Sequence, residues 1–476
     1  MTFLRPTLLT LACLLASPGF ADDLPSLGDA SSAIVSPQQE YQLGRAWLAY
    51  LRGQVSQLND PQLKDYVETS VYKLVETSQV NDRRLEFILI NSPQLNAFAA
   101  PGGIVGVNGG LFLNAQTEGE YASVLAHELA HLSQRHFARG VEAQQRMQIP
   151  MMAALLGGII AAAGAGDAGI AAIAGTQAAA IQEQRRFSRQ NEQEADRIGI
   201  VNLEKAGYDP RSMPTMFERL MRQYRFDAKP PEFLLTHPVT ESRIADTRNR
   251  AEQAKAGGKE DSLRYQLIRA RVQLQYEDTS GLAAKRFQAQ LDENPKNDVA
   301  RYGLAIAQIK ASQFKQARES LQPLLAKAPN DITYNLAQIQ LDIDNNRLPD
   351  AQQRTDRMLT QYPGNYPLNQ IRVDLLLKQN RTADAEKALD GLLKSRPDDP
   401  DVWYQVAETR GLSGNIIGLH QARAEYFALV GDFQQAIQQL DFAKRRAGSN
   451  FPLSSRIDAR QRELIEQERL VKGMMS

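Results

Sequence analysis

The sequence holds one cysteine in 476 residues, Cys13. That residue lies in an apolar leader, so the rest of the chain has neither a free thiol nor a disulfide. A chain of this length without cross-links is held by core burial, and 43% apolar against 23% charged residues is an ordinary globular balance. Excess charge is missing too, with 55 basic and 55 acidic residues. A neutral surface lacks the general attraction to phosphate backbones, so no nucleic-acid partner is expected. Glycine and proline, 31 and 22 residues, stand near average and exclude collagen-like or low-complexity organisation. Long apolar runs are confined to the leader and to one later segment, which excludes a polytopic membrane protein.

The leader is a secretory signal. Arg5 supplies the positive start, Leu8 to Ala16 the apolar stretch and Gly19-Phe20-Ala21 the small-residue cleavage site. Thr10-Leu11-Ala12 is a poor lipoprotein match before Cys13. Residues 1–21 are therefore expected to be removed on export.

Ser36-Pro37-Gln38-Gln39 predicts a capped helix start. Its apolar face would carry Leu43, Ala46, Trp47, Tyr50 and Leu51. A second helix is expected from Asp60-Pro61, burying Leu63, Tyr66, Val67, Val71 and Leu74. Leu85 to Ile90 reads as a buried strand, and the glycine-rich Asn96–Gly103 as a turn feeding a strand at Ile104–Val107. Thr117 and Glu120 form a capping box for a helix running to about Phe137.

Residues 147–180 are rich in Ala, Gly, Ile and Met. Pro150, Gly157, Gly158, Gly164 and Gly166 interrupt the run, so a mobile buried or cleft-covering segment is expected, with peripheral membrane contact or a true span as the alternatives. Helix resumes over 182–206 and again around Met213–Tyr224, and Gly257-Gly258 is the linker candidate. Beyond it, Pro295, Pro329, Pro363 and Pro397 recur every 34 residues, as do Ala317, Ala351 and Ala385. Thirty-four is the tetratricopeptide period, a helix–turn–helix unit repeated as a solenoid. The expected fold is mainly α: an α+β domain over 22–255, then a repeat domain over 261–476.

His127-Glu128-Leu129-Ala130-His131 is an H-E-x-x-H pattern. On a helix, residues i and i+4 share a face, so both imidazoles reach one metal ion and Glu128 stands beside them as a general base. A third ligand is needed. His136 lies five residues past His131, turned ~140° on an ideal helix, and reads as a surface or second-face histidine. Among the carboxylates of 191–196, Glu192 and Asp196 share a helix face. One of them would bind the metal while the other braces a ligand histidine. Glu194 points the other way and reads as solvated.

H-E-x-x-H, followed some sixty residues on by Glu192-x-x-Ala195-Asp196 and preceded by Asn96-Ala97-Phe98-Ala99-x-Pro101-Gly102-Gly103, resembles the HtpX and CAAX-prenyl-protease family of zinc metallopeptidases. The resemblance implies a zincin-type peptidase holding one Zn2+ per chain through His127, His131 and Glu192, with Glu128 as base and Asp196 orienting a ligand histidine. It also implies an extended substrate lying along Asn96–Val107, through Asn96, Phe98, Gly102, Gly103, Ile104 and Val105. His237 and Arg243 would stand at the cleft, His237 as an oxyanion donor or as a latch on the fourth zinc position. With a signal peptide and repeats, the resemblance extends to a periplasmic endopeptidase of Gram-negative bacteria with chaperone-like activity. Its expected substrates are unfolded or stalled outer-membrane β-barrel proteins, and its repeats would contact the β-barrel assembly machinery. The alternative is a repeat scaffold whose protease site is largely latent.

Overall fold

The computed structural model describes residues 36–143, 188–226, 231–255 and 257–475. The leader and the segment 147–180 lie outside these residues. Ser36 caps α1 (Pro37–Gln54) in a full capping box with Gln39. The inward face of α1 differs from the expected one. Gly44, Leu48 and Arg52 are buried, while Trp47 and Tyr50 are 37% and 39% exposed. A Cβ at Gly44 would meet Pro101 O at 2.0 Å, so α1 lies on the turn at 101–102 along its glycine and rotates its aromatics outward.

Asp60 caps α2 (Pro61–Thr77), which buries the five expected residues. β1 (Glu86–Ile90), β2 (Ala97–Ala100) and β3 (Ile104–Asn108) form a sheet of order β1-β3-β2, with β1 parallel and β2 antiparallel to β3. The chain makes a strand where its composition suggests only a turn. Gly102 and Gly103, both at φ +77°, reverse it tightly enough for Ala97–Ala100 to pair with Ile104–Val107. β2 is thereby an edge strand.

α3 (Gly109–Asn114) leads into α4 (Glu118–Ser133), whose Thr117–Glu120 box is present. α4 is buried from Glu118 to Ala130, under the sheet, and stops four residues before the expected end. Arg135 at φ 50° breaks it, and the chain restarts as α5 (136–143). α6 (188–205), α7 (Ser212–Tyr224), α8 (Glu232–Thr236) and α9 (Glu241–Gln253) complete this half. Its centre is a cluster of Tyr66, Phe112, Tyr121 and Tyr265 with ring centroids 4.9–6.3 Å apart.

Tyr265 comes from α10 (Leu263–Gln275), a helix with two buried faces. Tyr265, Ile268 and Val272 enter the first core, whereas Leu267, Ala270 and Leu274 enter the next. The segment carrying Gly257-Gly258 is tied down rather than loose. Lys259 N–H donates to Gly207 O, Asp209 N–H to Lys259 O, and Gly119 N–H to Glu260 O.

The solenoid continues through α11 (Ser280–Glu293), α12 (Asp298–Lys310), α13 (Phe314–Lys327), α14 (Ile332–Asp344), α15 (Leu348–Gln361) and α16 (Tyr366–Lys378). It ends with α17 (Thr382–Ser395), α18 (Pro400–Leu412), α19 (Ile416–Leu429), α20 (Phe433–Ala447) and α21 (Phe451–Met475). Ala317, Ala351 and Ala385 are fully buried where paired helices meet. The recurring prolines are tied to the helix that follows: Arg301, Asn335, Asn369 and Trp403 each donate a side-chain N–H to the carbonyl of Pro295, Pro329, Pro363 and Pro397, respectively.

The array curls back so that α16 packs on α2 and both α19 and α21 meet α1. Lys64 Nζ lies 2.7 Å from Asp399, and Arg396 grips Glu68. Between the halves is a cleft of about 820 Å³ lined by Lys64, Glu68, Tyr366, Arg372 and Arg396. No helix among the described residues is long and apolar enough to cross a membrane.

Candidate metal centre

α4 carries His127 and His131 on its face towards α6, and α6 delivers Glu192 and Asp196 one turn apart on its own facing side. His127 Nε2 and His131 Nε2 are 3.1 Å apart, and Glu192 oxygens stand 3.4 Å from the first and 3.3 Å from the second. Atoms bound at 2.0–2.1 Å around one tetrahedral ion are separated by about 3.3 Å, so this triangle has the size of one face of a zinc polyhedron. Two imidazole nitrogens and a carboxylate, nearly solvent-free, form a donor set that fits a divalent metal. Among the described residues this is the group of metal-binding side chains, with His237 as its fourth member and all donor atoms within 4.8 Å of one another.

His237 follows α8. Its Nδ1 is 2.9 Å from Glu192 Oε1 and 3.4 Å from His127 Nε2, and its Nε2 is 3.6 Å from Glu128 Oε1. Phe233, buried on α8 one turn earlier, supports the ring at a centroid distance of 5.2 Å. Sequence reasoning missed Phe233, although its spacing of four from His237 was the available signal. Glu128 is 2% exposed, and its Oε2 accepts from Ala99 N–H on the side of β2 away from β3.

Two sets of partners hold the histidines. On one side His127 Nδ1 lies 3.0 Å from Asp196, whose two oxygens accept from Arg243 Nε and an Nη at 2.7 Å. On the other side His131 Nδ1 is 2.8 Å from His136 Nδ1, and His136 Nε2 is 3.2 Å from Glu194, which also takes Arg139. This overturns the expectation that His136 points away from the site, whereas Glu194, with 36% of its side chain exposed, keeps the expected solvent contact while pairing with His136 and Arg139. The angular argument assumed an unbroken helix, and the left-handed residue Arg135 swings His136 back towards His131.

The electrostatics follow from this crowding. Burial alone would raise the Glu192 carboxyl, but hydrogen bonds to His127, His131 and His237 hold it far below the usual carboxylate range. Burial opposes charge on His127, yet Asp196 and Glu192 outweigh it and raise its pKa to about 10 in the metal-free protein. Burial lowers His131, and burial with the neighbouring His131 lowers His136 to about 4.

Several expected cleft residues lie elsewhere. Ile104 and Val105 are buried on β3, the central strand, whose backbone is paired on both sides and cannot receive an extended chain. Gly102 and Gly103 form the β2–β3 turn against α1 and Arg84, where Arg45 donates to Gly102 O at 2.6 Å. Arg243 is 5% exposed, with its guanidinium engaged by Asp196, Glu192 and Pro238 O, so it holds carboxylates instead of meeting substrate. Asn96 O accepts from Asn108 N–H at the start of β2, and the Phe98 ring stands edge-on to Trp47 at 5.6 Å.

The profile of peptidase family M48 matches residues 61–251, and tetratricopeptide profiles match 281–339 and 342–408. The beta-barrel assembly-enhancing protease of Escherichia coli strain K12 is 36% identical over 462 residues, covering 95% of this chain and 94% of that protein. The putative beta-barrel assembly-enhancing protease of Vibrio cholerae is 35% identical over 449 residues, covering 94% and 93%. The mitochondrial metalloendopeptidase OMA1 of Arabidopsis thaliana is 31% identical over 170 residues, covering 35% and 32%. Likeness on this scale along both halves, with the metal-binding group inside the matched peptidase region, makes the chain a metalloprotease of peptidase family M48, belonging to its repeat-bearing branch of beta-barrel assembly-enhancing proteases.

Proposed function

We propose that the chain is a periplasmic zinc endopeptidase that removes unfolded or stalled outer-membrane β-barrel proteins. Its repeats would hold such clients or the assembly machinery. The observation that carries the reading is the His127–His131–Glu192 triangle, 3.1–3.4 Å on a side, with a carboxylate next to it on α4. His127, His131 and Glu192 are the ligands of one zinc per chain. When bound, zinc polarises the scissile carbonyl and lowers the pKa of a water that it holds.

Glu128 is the general base. Its Oε2 is fixed by Ala99 N–H, while its buried Oε1 has no hydrogen-bond partner among the described residues and is the atom that takes the proton and returns it to the leaving amine. Asp196, itself clamped by Arg243, orients His127. The edge of β2 away from β3, whose Ala99 N–H is already held by Glu128, is the ledge along which an extended chain lies as an added strand. His237, with Nδ1 against Glu192, occupies the fourth corner as a latch that keeps substrate out until its loop is drawn away. Cleavage of a purified unfolded β-barrel protein tests the reading: wild type degrades it, and Glu128→Gln, folded and metal-loaded, leaves it intact. Degradation at the wild-type rate by that variant would refute it.

A further inference from the structure

Of the sites outside the metal centre, a cluster of arginines on the repeat array has the least evident structural reason. Arg318 on α13 and Arg354 and Arg357 on α15 converge over α14. Arg318 is paired with Asp342 at 2.8 Å, and Arg347 with Asp350. Arg354 and Arg357 have no carboxylate partner among the described residues. Instead both donate to one neutral oxygen, Asn335 Oδ1, at 2.9 and 3.0 Å. Burial and the nearby Arg357 push the Arg354 guanidinium below its ordinary value, against the opposing pull of Asp342 and Asp350.

The repeat itself does not call for these charges. One period earlier the positions of Arg354 and Arg357 hold Ser320 and Pro323, and one period later Ala388 and Gly391. Arg318 is likewise answered by Ala284 and Gln352. Asn335 already fulfils its repeat role through its amide nitrogen, which binds Pro329 O. The cluster is thus particular to this one place along the solenoid.

The place is also open. α14 turns Leu336, Ala337 and Gln340 towards Asp60 and Gln62 at the start of α2, whereas Asp342 lines a separate cleft with the arginines. Clefts of about 310 and 550 Å³ flank the arginines, the larger walled by Leu325, Pro329 and the amides of Gln322 and Gln338. A half-buried and an exposed guanidinium, neither in an ion pair among the described residues, beside amides and a short apolar wall, suit a chain that threads the groove better than a flat lipid surface.

We propose that the groove between α13 and α15 is a docking site for an acidic polypeptide segment, whose carboxylates pair with Arg354 and Arg357. The site is separate from the peptidase cleft and stands or falls independently of it. Fluorescence anisotropy of the full chain with a labelled glutamate-rich peptide, its glutamine isostere, inorganic phosphate and anionic phosphatidylglycerol vesicles tests this. The glutamate peptide binds and the isostere does not. Arg354→Gln/Arg357→Gln weakens binding about tenfold or more, and the exposed single change Arg357→Gln does so in part. Arg445→Gln/Arg446→Gln, the same loss of charge on α20, leaves it unchanged. Equal loss in the α20 control, unchanged binding in the paired variant, or a groove that takes phosphate or vesicles but not the peptide would each overturn the proposal.

Discussion

At the scale of single residues, His136 is the most informative side chain. If His131 Nε2 faces a metal, His131 Nδ1 carries the proton and donates to His136 Nδ1, and His136 Nε2–H donates to Glu194. A ligand histidine held this way is both oriented and made more basic. His136→Ala is expected to weaken metal retention against a chelator about 10–100-fold, with partial recovery in His136→Gln, whose amide oxygen can accept the same proton. Unchanged retention in His136→Ala would reduce this histidine to packing. His237→Ala gives an opposite expectation: turnover rises, because the side chain at the fourth corner is gone, whereas an oxyanion donor would lose about 10²-fold. Steady-state cleavage distinguishes the two. The candidate ligand group was legible in part because His127–His131 and Glu192–Asp196 are each four apart on unbroken helices, while the choice of Glu192 over Asp196 came from the resemblance. His136 was not, since its direction depends on the backbone of Arg135, and a left-handed arginine leaves no mark in composition.

At the scale of elements, caps and periods were readable and edges were not. The boxes at Ser36–Gln39 and Thr117–Glu120 form as expected because each closes within one turn. β2 was hidden because Ala-Phe-Ala-Ala carries little strand propensity and pairs only by virtue of the turn after it. A second 34-residue register was present in the sequence and went unread. Ser312, Asn346, Asn380 and Gly414 all adopt positive φ, from 54° to 76°, at the end of the first helix of successive units. In each, the next residue's N–H reaches back five residues, as in Gln313 to Gln308 and Arg347 to Asp342, closing a Schellman turn. Asn and Gly tolerate that conformation and Ser does not. Ser312→Gly should therefore stabilise the chain by about 0.5–1 kcal/mol, and Ser312→Ala should not, as measured by thermal or urea unfolding. A loss of stability in Ser312→Gly would show that the turn is not strained.

At the scale of the whole molecule, the repeat array is docked on the peptidase half by contacts no local pattern could reveal. Lys64 and Asp399 are 335 positions apart in sequence, and Arg396 and Glu68 are 328 apart. Burial would raise the Asp399 carboxyl, but Lys64 and Arg396 hold it below the ordinary value. A carboxylate depressed in the folded state contributes its full share above the ordinary range, near about pH 4, and loses it as the pH falls through the depressed value. Docking is accordingly insensitive to pH across neutrality and weakens only in strong acid. Asp399→Asn keeps the cap on α18, since asparagine accepts from Asp401 N–H as well, and removes only the charge. It should cost about 2 kcal/mol at pH 7, less than a fully buried pair because Lys64 retains some solvent. The cost should be smaller at pH 3, below the ordinary carboxylate range. An equal cost at both values would mean that the ion pair does not hold the halves together. The two-faced helix α10 adds apolar continuity to this docking, so a fragment beginning at Asp261 leaves Tyr265, Ile268 and Val272 without their core.

The central claim is that His127, His131 and Glu192 hold one zinc per chain while Glu128 only moves protons. Metal content of purified variants by mass spectrometry tests it most directly. Wild type and Glu128→Gln are expected to carry one zinc per chain and His131→Ala almost none. Undiminished zinc in His131→Ala, or its loss in Glu128→Gln, would contradict the account.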